Sequence, residues 1–224
     1  YAFYWTKKLK GNIIIPDATI SIGGFAFQGS AFDGTLTLGE GLQSIGQYAF
    51  YECTNVVGDL VIPNSVTTII GYCFSKSSFT GSLIIGDGVS AIPQHTFEEC
   101  SSFKGELVIG QNVVTIGDYA FNDCPGFTGN LIIPDKVETI GSHAFHGCTG
   151  FKGYLLLGEK LNSIDASVFT TKYEYRTGSY ALNFSKIYCK AQVPPQIRKI
   201  ETSSVTTDCD SFGNYNWRQT SNGS

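Results

Sequence analysis

The chain has 224 residues, with 15 Lys and Arg against 19 Asp and Glu, and a formal net charge of −4. This slight acidic balance argues against a protein that binds nucleic-acid phosphates, and no apolar run approaches the ~18 residues needed to span a membrane. The sequence contains no methionine and opens without a signal segment, so we expect a mature chain or an excised fragment.

Two columns of residues recur along most of the sequence with the same irregular spacing. Successive members lie 23, 24, 23, 24, 24 and 24 residues apart in both columns. The first column is Ile13, Leu36, Leu60, Leu83, Leu107, Leu131 and Leu155, and the second is Phe27, Phe50, Phe74, Phe97, Phe121, Phe145 and Phe169. A repeat of about two dozen residues is typical of a solenoid, in which each unit stacks on the next.

The first half of each unit predicts a strand. Residues 1–8 are aromatic and basic, and we interpret them as the remainder of a preceding repeat. Each later unit has an apolar residue followed two positions on by a glycine, and the glycines are Gly11, Gly34, Gly58, Gly81, Gly105, Gly129 and Gly153. A glycine in every copy indicates a positive φ or a close approach of the next turn. The apolar triplet that follows, such as residues 131–133, is bounded by Gly and Pro and predicts a strand.

The second half of each unit contains Val-x-x-Ile and then Ala-Phe-x-x-Cys. In Ala144, Phe145 and Cys148 the spacing is i, i+1 and i+4, which predicts a single helical or 3₁₀ turn. We therefore expect an α/β solenoid with one strand and one turn per unit. All triplets should lie in one parallel sheet, about 4.8 Å apart from turn to turn.

The regular spacing ends after residue 171. Residues 184–189 resemble another strand, and Ile187 lies 32 residues after Leu155, which indicates an insertion of eight residues in that unit. A terminal repeat has no neighbour on its outer face and is expected to be atypical.

We divide the chain into a repeat array over residues 1–171, a capping repeat over 172–197 and a tail over 198–224. Aromatic residues in the tail predict that part of it packs back on the cap. These residues are Phe212, Tyr215 and Trp217.

Residues 133–148 read Ile-Pro-Asp-Lys-Val-Glu-Thr-Ile-Gly-Ser-His-Ala-Phe-His-Gly-Cys, and 187–195 contain Ile-Tyr-Cys-Lys-Ala and Pro-Pro. With these motifs, the chain resembles the BspA-like leucine-rich repeats over roughly residues 9–197. The resemblance implies a curved leucine-rich-repeat solenoid of a secreted or surface-anchored bacterial protein. It also implies adhesion to host or microbial macromolecules, and it supplies no catalytic residue and no cofactor.

Cysteine and serine alternate at one repeat position. It holds Cys53, Cys100, Cys124 and Cys148, and also Ser30, Ser77 and Lys172. Such alternation indicates a small buried side chain. We predict free thiols in this column, because the side chains of adjacent turns should point in parallel into the core. Cys189 and Cys209 lie outside the column and are the expected pair if any disulfide forms.

The sequence predicts neither a catalytic nor a metal site. His95 and His143 occupy a column otherwise filled mainly by Tyr and Phe, and we interpret them as packing or rim residues. His143 and His146 form an H-x-x-H that could chelate a metal, but it has no acidic or Cys partner at a fixed spacing. No nucleophile motif, phosphate loop or paired carboxylates are evident.

The middle residue of each triplet is expected to point outward, because side chains alternate along a strand. Its column is mostly aliphatic, and the column two residues earlier is polar. β-propensity alone would explain the column, and so would a partner-binding strip along the concave sheet. The predicted partner-binding residues are Val61, Ile84, Val108 and Ile132, with the flanking Asp59, Ser82, Glu106 and Asn130.

Three functions are open to such a solenoid. The first is a non-enzymatic binding or adhesion module at the cell surface, whose partner is a protein or glycan and not a nucleic acid. The second is a structural spacer that presents another domain. The third, an enzyme on a β-helix, requires a cluster of catalytic groups on one face, which the aligned columns do not contain.

Overall fold

In the computed structural model, each repeat contributes two short parallel strands, and the strands stack into two lines along the solenoid. The structure describes residues 1–165, 167–170 and 184–190, together with the backbone of strands at 196–198, 204–209 and 215–220. The stacking of equivalent strands confirms the solenoid that the repeat predicts.

The first line is formed by the apolar triplets. Its strands are β1 (Ile13–Ile14), β3 (Leu36–Thr37), β5 (Leu60–Ile62), β7 (Leu83–Ile85), β9 (Leu107–Val108), β11 (Leu131–Ile132), β13 (Tyr154–Leu157) and β15 (Lys186–Cys189). Equivalent residues of successive repeats pair directly, and Leu155 pairs with Ile187 across the predicted insertion. The line consists of three sheets, β1-β3, β5-β7-β9 and β11-β13-β15, and not of the single sheet that we predicted.

The second line was not predicted. Its strands begin one residue before the recurrent Ile, and they are β2 (Ser21–Ile22), β4 (Ser44–Ile45), β6 (Thr68–Ile69), β8 (Ala91–Ile92), β10 (Thr115–Ile116), β12 (Thr139–Ile140), β14 (Ser163–Asp165) and β16 (Gln196–Arg198). They form the sheets β2-β4-β6 and β8-β10-β12-β14-β16. The prediction of one strand per unit is therefore wrong.

The Ala-Phe-x-x-Cys segment is not helical, and the described residues contain no helix. Tyr119 and Asp123 have left-handed backbones, with φ of 55° each, which a right-handed helix does not permit. The N–H groups of Tyr119, Phe121 and Asp123 donate to carbonyls of the next turn at 2.9, 2.8 and 2.8 Å. Hydrogen bonding between turns thus replaces the i to i−4 bonds of the predicted helical turn.

The core is built around a ladder of stacked phenylalanine rings, as predicted. The rings from Phe27 to Phe169 stack on one another with centroid separations of 5.0 to 5.8 Å. A second stack runs from Phe79 to Phe151 at 4.8 to 5.9 Å. Offset and parallel aromatic contacts add to the stabilisation from burial, and the same ring in every turn lets each repeat cover the next.

The glycine column shows both of the expected reasons for glycine. Gly58 has a φ of +81°, in the left-handed region. Gly105 lies so close to the preceding turn that a Cβ there would lie 2.2 Å from Ser82 Oγ and 2.9 Å from the carbonyl carbon of Gly81. A side chain is excluded at the first position by backbone conformation and at the second by space.

Residues 1–8 continue the repeat pattern, as we predicted. The Tyr1 ring stacks on Phe25 at 5.0 Å, and the Phe3 ring stacks on Phe27 at 4.9 Å. At the other end, β15 and β16 extend the two lines by one more turn. Beyond them, β17 (Ser204–Cys209) and β18 (Tyr215–Thr220) pair as an antiparallel hairpin. The side chains of Phe212, Tyr215 and Trp217 lie outside the described residues, so their packing stays a prediction.

Candidate partner-binding surface

Four aliphatic side chains form an exposed row on the first line of strands, which we name the apolar strip: Val61, Ile84, Val108 and Ile132. Val61, Ile84 and Val108 lie directly opposite one another in adjacent strands. Each of the four keeps 37 to 46% of its surface accessible, while the Leu and Ile residues on either side in the triplets are buried. The expected outward direction of this column is therefore observed. Ile14 is exposed further along the same line.

The polar flank of the apolar strip has a structural role that the sequence did not reveal. Asp59 Oδ1 accepts a hydrogen bond from the backbone N–H of Ser82 at 2.7 Å, and Ser82 Oγ accepts one from the N–H of Glu106 at 3.1 Å. Asn130 Oδ1 accepts the N–H of Tyr154 at 3.0 Å. These short side chains therefore connect adjacent turns. Their common chemical property, an acceptor close to the backbone, was the available signal.

A second column of acceptors borders the apolar strip on its other side. Asp17, Asn64 and Asp87 each accept the backbone N–H of the equivalent residue in the following turn, at 2.7 to 2.9 Å. These three residues are exposed, as are Glu40 and Gln111 in the same column. The strip thus lies between two polar columns whose positions are fixed by hydrogen bonds between turns.

The Cys and Ser column is buried and donates to main-chain carbonyls. Cys100 Sγ donates to the carbonyl of Phe74 at 3.1 Å, and Cys124 Sγ donates to that of Phe97 at 3.1 Å. Ser77 Oγ makes the equivalent bond to Phe50 at 2.5 Å. The alternation of Cys and Ser therefore reflects a shared donor as well as a small volume.

The thiols of the column are not linked to one another, which confirms the prediction. Cys53, Cys100, Cys124 and Cys148 are free and buried. Desolvation raises the pKa of Cys53, Cys100 and Cys148 to about 12 and the pKa of Cys124 well above the usual thiol range. Cys189 and Cys209 are the expected pair if any disulfide forms, and the side chain at 209 lies outside the described residues.

Raised thiol pKa values predict a loss of stability at alkaline pH. The pKa of Cys100 is about 12 in the folded chain, whereas an exposed thiol titrates near pH 8.5. The stabilisation that the protonated thiol contributes to the folded chain should therefore be complete below about pH 8.5. It should decline as the pH rises toward 12, because in this range the unfolded chain loses its thiol protons and the folded chain keeps them. Cys100→Ser keeps a donor, as Ser77 does, and removes one titrating group. Urea unfolding from pH 8 to 11 should show a smaller loss of stability in this variant than in the parent; an equal loss would contradict the prediction.

The histidines in the aromatic column are packing residues, as predicted. The His95 ring lies between Tyr72 and Tyr119 at 4.4 and 5.0 Å, and the His143 ring stacks on Tyr119 at 4.9 Å. His95 Nδ1 lies 2.9 Å from Glu98 Oε2. Rings in this column of Tyr and His cover one another's faces, so a sugar cannot stack on the covered faces.

The H-x-x-H pair is engaged in contacts within the protein. The His143 and His146 rings meet edge to face at 5.3 Å. His143 Nδ1 lies 2.8 Å from Ser142 Oγ, and His146 Nδ1 lies 2.6 Å from Thr170 Oγ1. Across the described residues, no group of three or more His, Cys, Asp and Glu side chains is placed to hold a metal ion.

The repeat pattern and its geometry match a known family. The family model described as "BspA type Leucine rich repeat region" matches residues 1–128 and 115–222, with six copies. The chain belongs to the BspA-type leucine-rich-repeat family. The resemblance found in the sequence is therefore confirmed. No curated protein matches the chain.

Several solved structures are similar to this BspA-type chain. A leucine-rich repeat protein of T. pallidum has 21% identity, covers 71% of this chain and 64% of its own length, and gives a TM-score of 0.47. The pneumococcal vaccine antigen PcpA has 17% identity, coverages of 86% and 58% and a TM-score of 0.44. A leucine-rich cell surface protein of Faecalibacterium prausnitzii has 20% identity, coverages of 91% and 52% and a TM-score of 0.48. The chain thus spans between about half and two-thirds of the length of these proteins.

Proposed function

We propose that this BspA-type solenoid is a non-enzymatic binding or adhesion module that acts at the cell surface. Its partner is a protein or glycan on a host or microbial surface, and the contact is made through the apolar strip. The family supports a surface location and a binding role. No helix in the described part of the chain is long and apolar enough to cross a membrane.

The observation that carries this proposal is the difference between the two lines of strands. β-propensity alone is satisfied by any β-branched residue, threonine included, and does not distinguish the outward positions of the two lines. The first line has the apolar strip at these positions, whereas the second line has small and mostly hydroxylated residues. These are Ser21, Ser44, Thr68, Ala91, Thr115, Thr139 and Ser163. Aliphatic residues are therefore concentrated on one of two equivalent faces, which favours a selected contact surface.

The second candidate, a structural spacer, needs no contact surface. A spacer requires only the buried aromatic ladders and the hydrogen bonds between turns. Neither of these depends on the exposed side chains of the apolar strip. The exposed aliphatic row favours the binding module over the spacer, because desolvated apolar residues at the centre of an interface supply most of its binding energy.

The test of the binding module is the double variant Ile84→Lys with Val108→Lys. These side chains project from the sheet, so we expect a change in stability within about 0.5 kcal/mol per site. Arrays of surface glycans and extracellular-matrix proteins should show binding by the parent chain and its loss in this variant. Circular dichroism and urea unfolding check that the variant is folded.

A matched control places the same charges elsewhere. Ile20 and Ile70 are 55% and 47% exposed and lie off the apolar strip. The variant Ile20→Lys with Ile70→Lys should retain binding. If the strip variant folds and binds like the parent, the recognition surface is elsewhere. If the strip variant unfolds, its residues belong to the core. If the parent binds nothing on the arrays, the spacer is favoured.

A further inference from the structure

Carboxylates border the apolar strip on both sides. Asp59 and Glu106 stand in the column two residues before it, and Asp87 stands in the column three residues after it. The second column continues past the strip to Asp17 and Glu40, beside Ile14 and Thr37, and it also holds Asp135 beside Ile132, which pairs with Lys190 at 2.9 Å. The other five carboxylates are exposed. Within the described part of the chain, none of them forms an ion pair with Lys, Arg or His. Their charges are therefore available to a partner.

This part of the solenoid is far more acidic than the chain as a whole. Residues 59–135, which carry the apolar strip and its two flanking columns, contain eight carboxylates and two lysines, a net charge of −6, whereas the whole chain has −4. Lys76 pairs with Glu99 at 3.9 Å, away from the strip. An apolar row in an acidic field attracts a partner with the opposite charge and repels an acidic one.

The spacing of the apolar strip fits a helix that lies along the solenoid axis. Adjacent strands in a parallel sheet are about 4.8 Å apart, and the apolar side chains on one face of a helix recur about every 5.4 Å. Over neighbouring turns such as Ile84 and Val108, one helical turn therefore meets one repeat. Same-face side chains of an extended peptide recur about every 6.6 Å, which fits less well.

The distance between the two acidic columns also fits the diameter of a helix. The two acidic columns are five residues apart along the chain, with a short strand between them and the second column in the turn that follows, so they are at most about 16 Å apart. A helix with its side chains is about 10–12 Å across. Lys or Arg side chains at its edges can extend their stems over the strip and place the charged groups at both columns.

We infer that the apolar strip binds a cationic amphipathic helix of a partner protein, with the apolar face of the helix on the strip and Lys or Arg at both acidic columns. This inference rests on the proposed function and specifies the partner class. Helices that lay an apolar face on a complementary surface are a general recognition mode.

The probe is a synthetic Leu and Lys peptide of about 18 residues, about 27 Å long as a helix, with Leu at helical spacing. An isomer with Leu and Lys alternating tests the extended form, and a scrambled isomer tests charge alone. A Leu and Glu analogue tests the sign of the charge. With the full chain, calorimetry or fluorescence anisotropy should give a Kd for the helical probe about tenfold or more below that of each control peptide.

The acidic columns can be altered without loss of their hydrogen bonds. Asn130 occupies the same column as Asp59, and Asn64 the same column as Asp87, with equivalent bonds to the next turn. Asp59→Asn with Asp87→Asn should therefore fold normally and weaken probe binding several-fold. Asn64→Asp with Asn130→Asp should tighten it, and both effects should shrink as salt rises from about 50 to 500 mM.

Equal binding of the scrambled isomer, tighter binding of the alternating isomer, or no change on Asp59→Asn with Asp87→Asn would overturn this inference. So would probe binding that survives Ile84→Lys with Val108→Lys. If the parent chain ignores the helical probe but loses an array ligand in that strip variant, the cationic helix is wrong and the binding module stands.

Discussion

Replacement of Phe121 with alanine should lower the free energy of unfolding by about 3–5 kcal/mol. The Phe121 side chain is fully buried. Its ring stacks between Phe97 and Phe145 at 5.3 and 5.0 Å, and it meets Phe127 edge to face at 6.5 Å. Alanine leaves a cavity bounded by rings on both sides, which cannot close without shifting two adjacent turns.

The matched control for this substitution is Phe3→Ala at the end of the same ladder. Among the described residues, Phe3 stacks on a single ring, Phe27, and its side chain is exposed. We expect a cost of about 1 kcal/mol there. Urea unfolding, monitored by circular dichroism, measures the stability of both variants. Equal and small effects at the two positions would mean that the ladder does not hold the array together.

The Phe ladder could be predicted from the sequence because its physical cause is simple. When one residue type recurs at the same place in every turn, the turns bring its copies into contact. The spacing of Phe121 and Phe145 in the sequence alone therefore predicts that their rings stack. Inward and outward positions of the triplets followed from the alternation of side chains along a strand.

The second line of strands could not be predicted in the same way. Most of its strands hold only two residues, too few for an alternating pattern to show in the sequence. The Ala-Phe-x-x-Cys spacing that follows them is compatible with a helical turn, and the chain avoids that turn with a left-handed backbone at residues such as Tyr119 and His143. This conformation is uncommon for aromatic side chains, so no residue-type signal marks it. Ring stacking and hydrogen bonds to the next turn hold it in place.

The candidate surface was only partly readable. Exposure of Val61 and Ile84 followed from alternation, but the structural use of Asp59 and Asn130 did not. Their column contains Asn, Thr, Asp, Ser and Glu. These are different residue types, and what they have in common is a side-chain oxygen that can accept a hydrogen bond. The second border, at Asp17 and its equivalents, was recognised only from its hydrogen bonds between turns in the structure.

The glycine column supplies the second large effect, because Gly105→Ala should destabilise the protein by about 1–3 kcal/mol. A Cβ at 105 would lie 2.2 Å from Ser82 Oγ, 2.8 Å from the Ser82 backbone nitrogen and 2.9 Å from the Gly81 carbonyl carbon. The Gly105 N–H donates to the Gly81 carbonyl at 3.0 Å, and Ser82 Oγ accepts from Glu106 at 3.1 Å. Relief of the clash must therefore move backbone and lengthen hydrogen bonds between turns.

Gly23→Ala is the control for Gly105→Ala, since a Cβ at 23 meets no atom within 4 Å and Gly23 has no left-handed φ. Alanine there should leave stability unchanged or raise it by up to about 1 kcal/mol, because it restricts the unfolded chain. Thermal and urea unfolding of the two variants should thus differ in sign or by at least 1 kcal/mol. Similar stability of both variants would show that the column tolerates a side chain. The close approach of the turns would then not explain the glycine in every unit. The spacing of the strands that carry the apolar strip would also need another explanation.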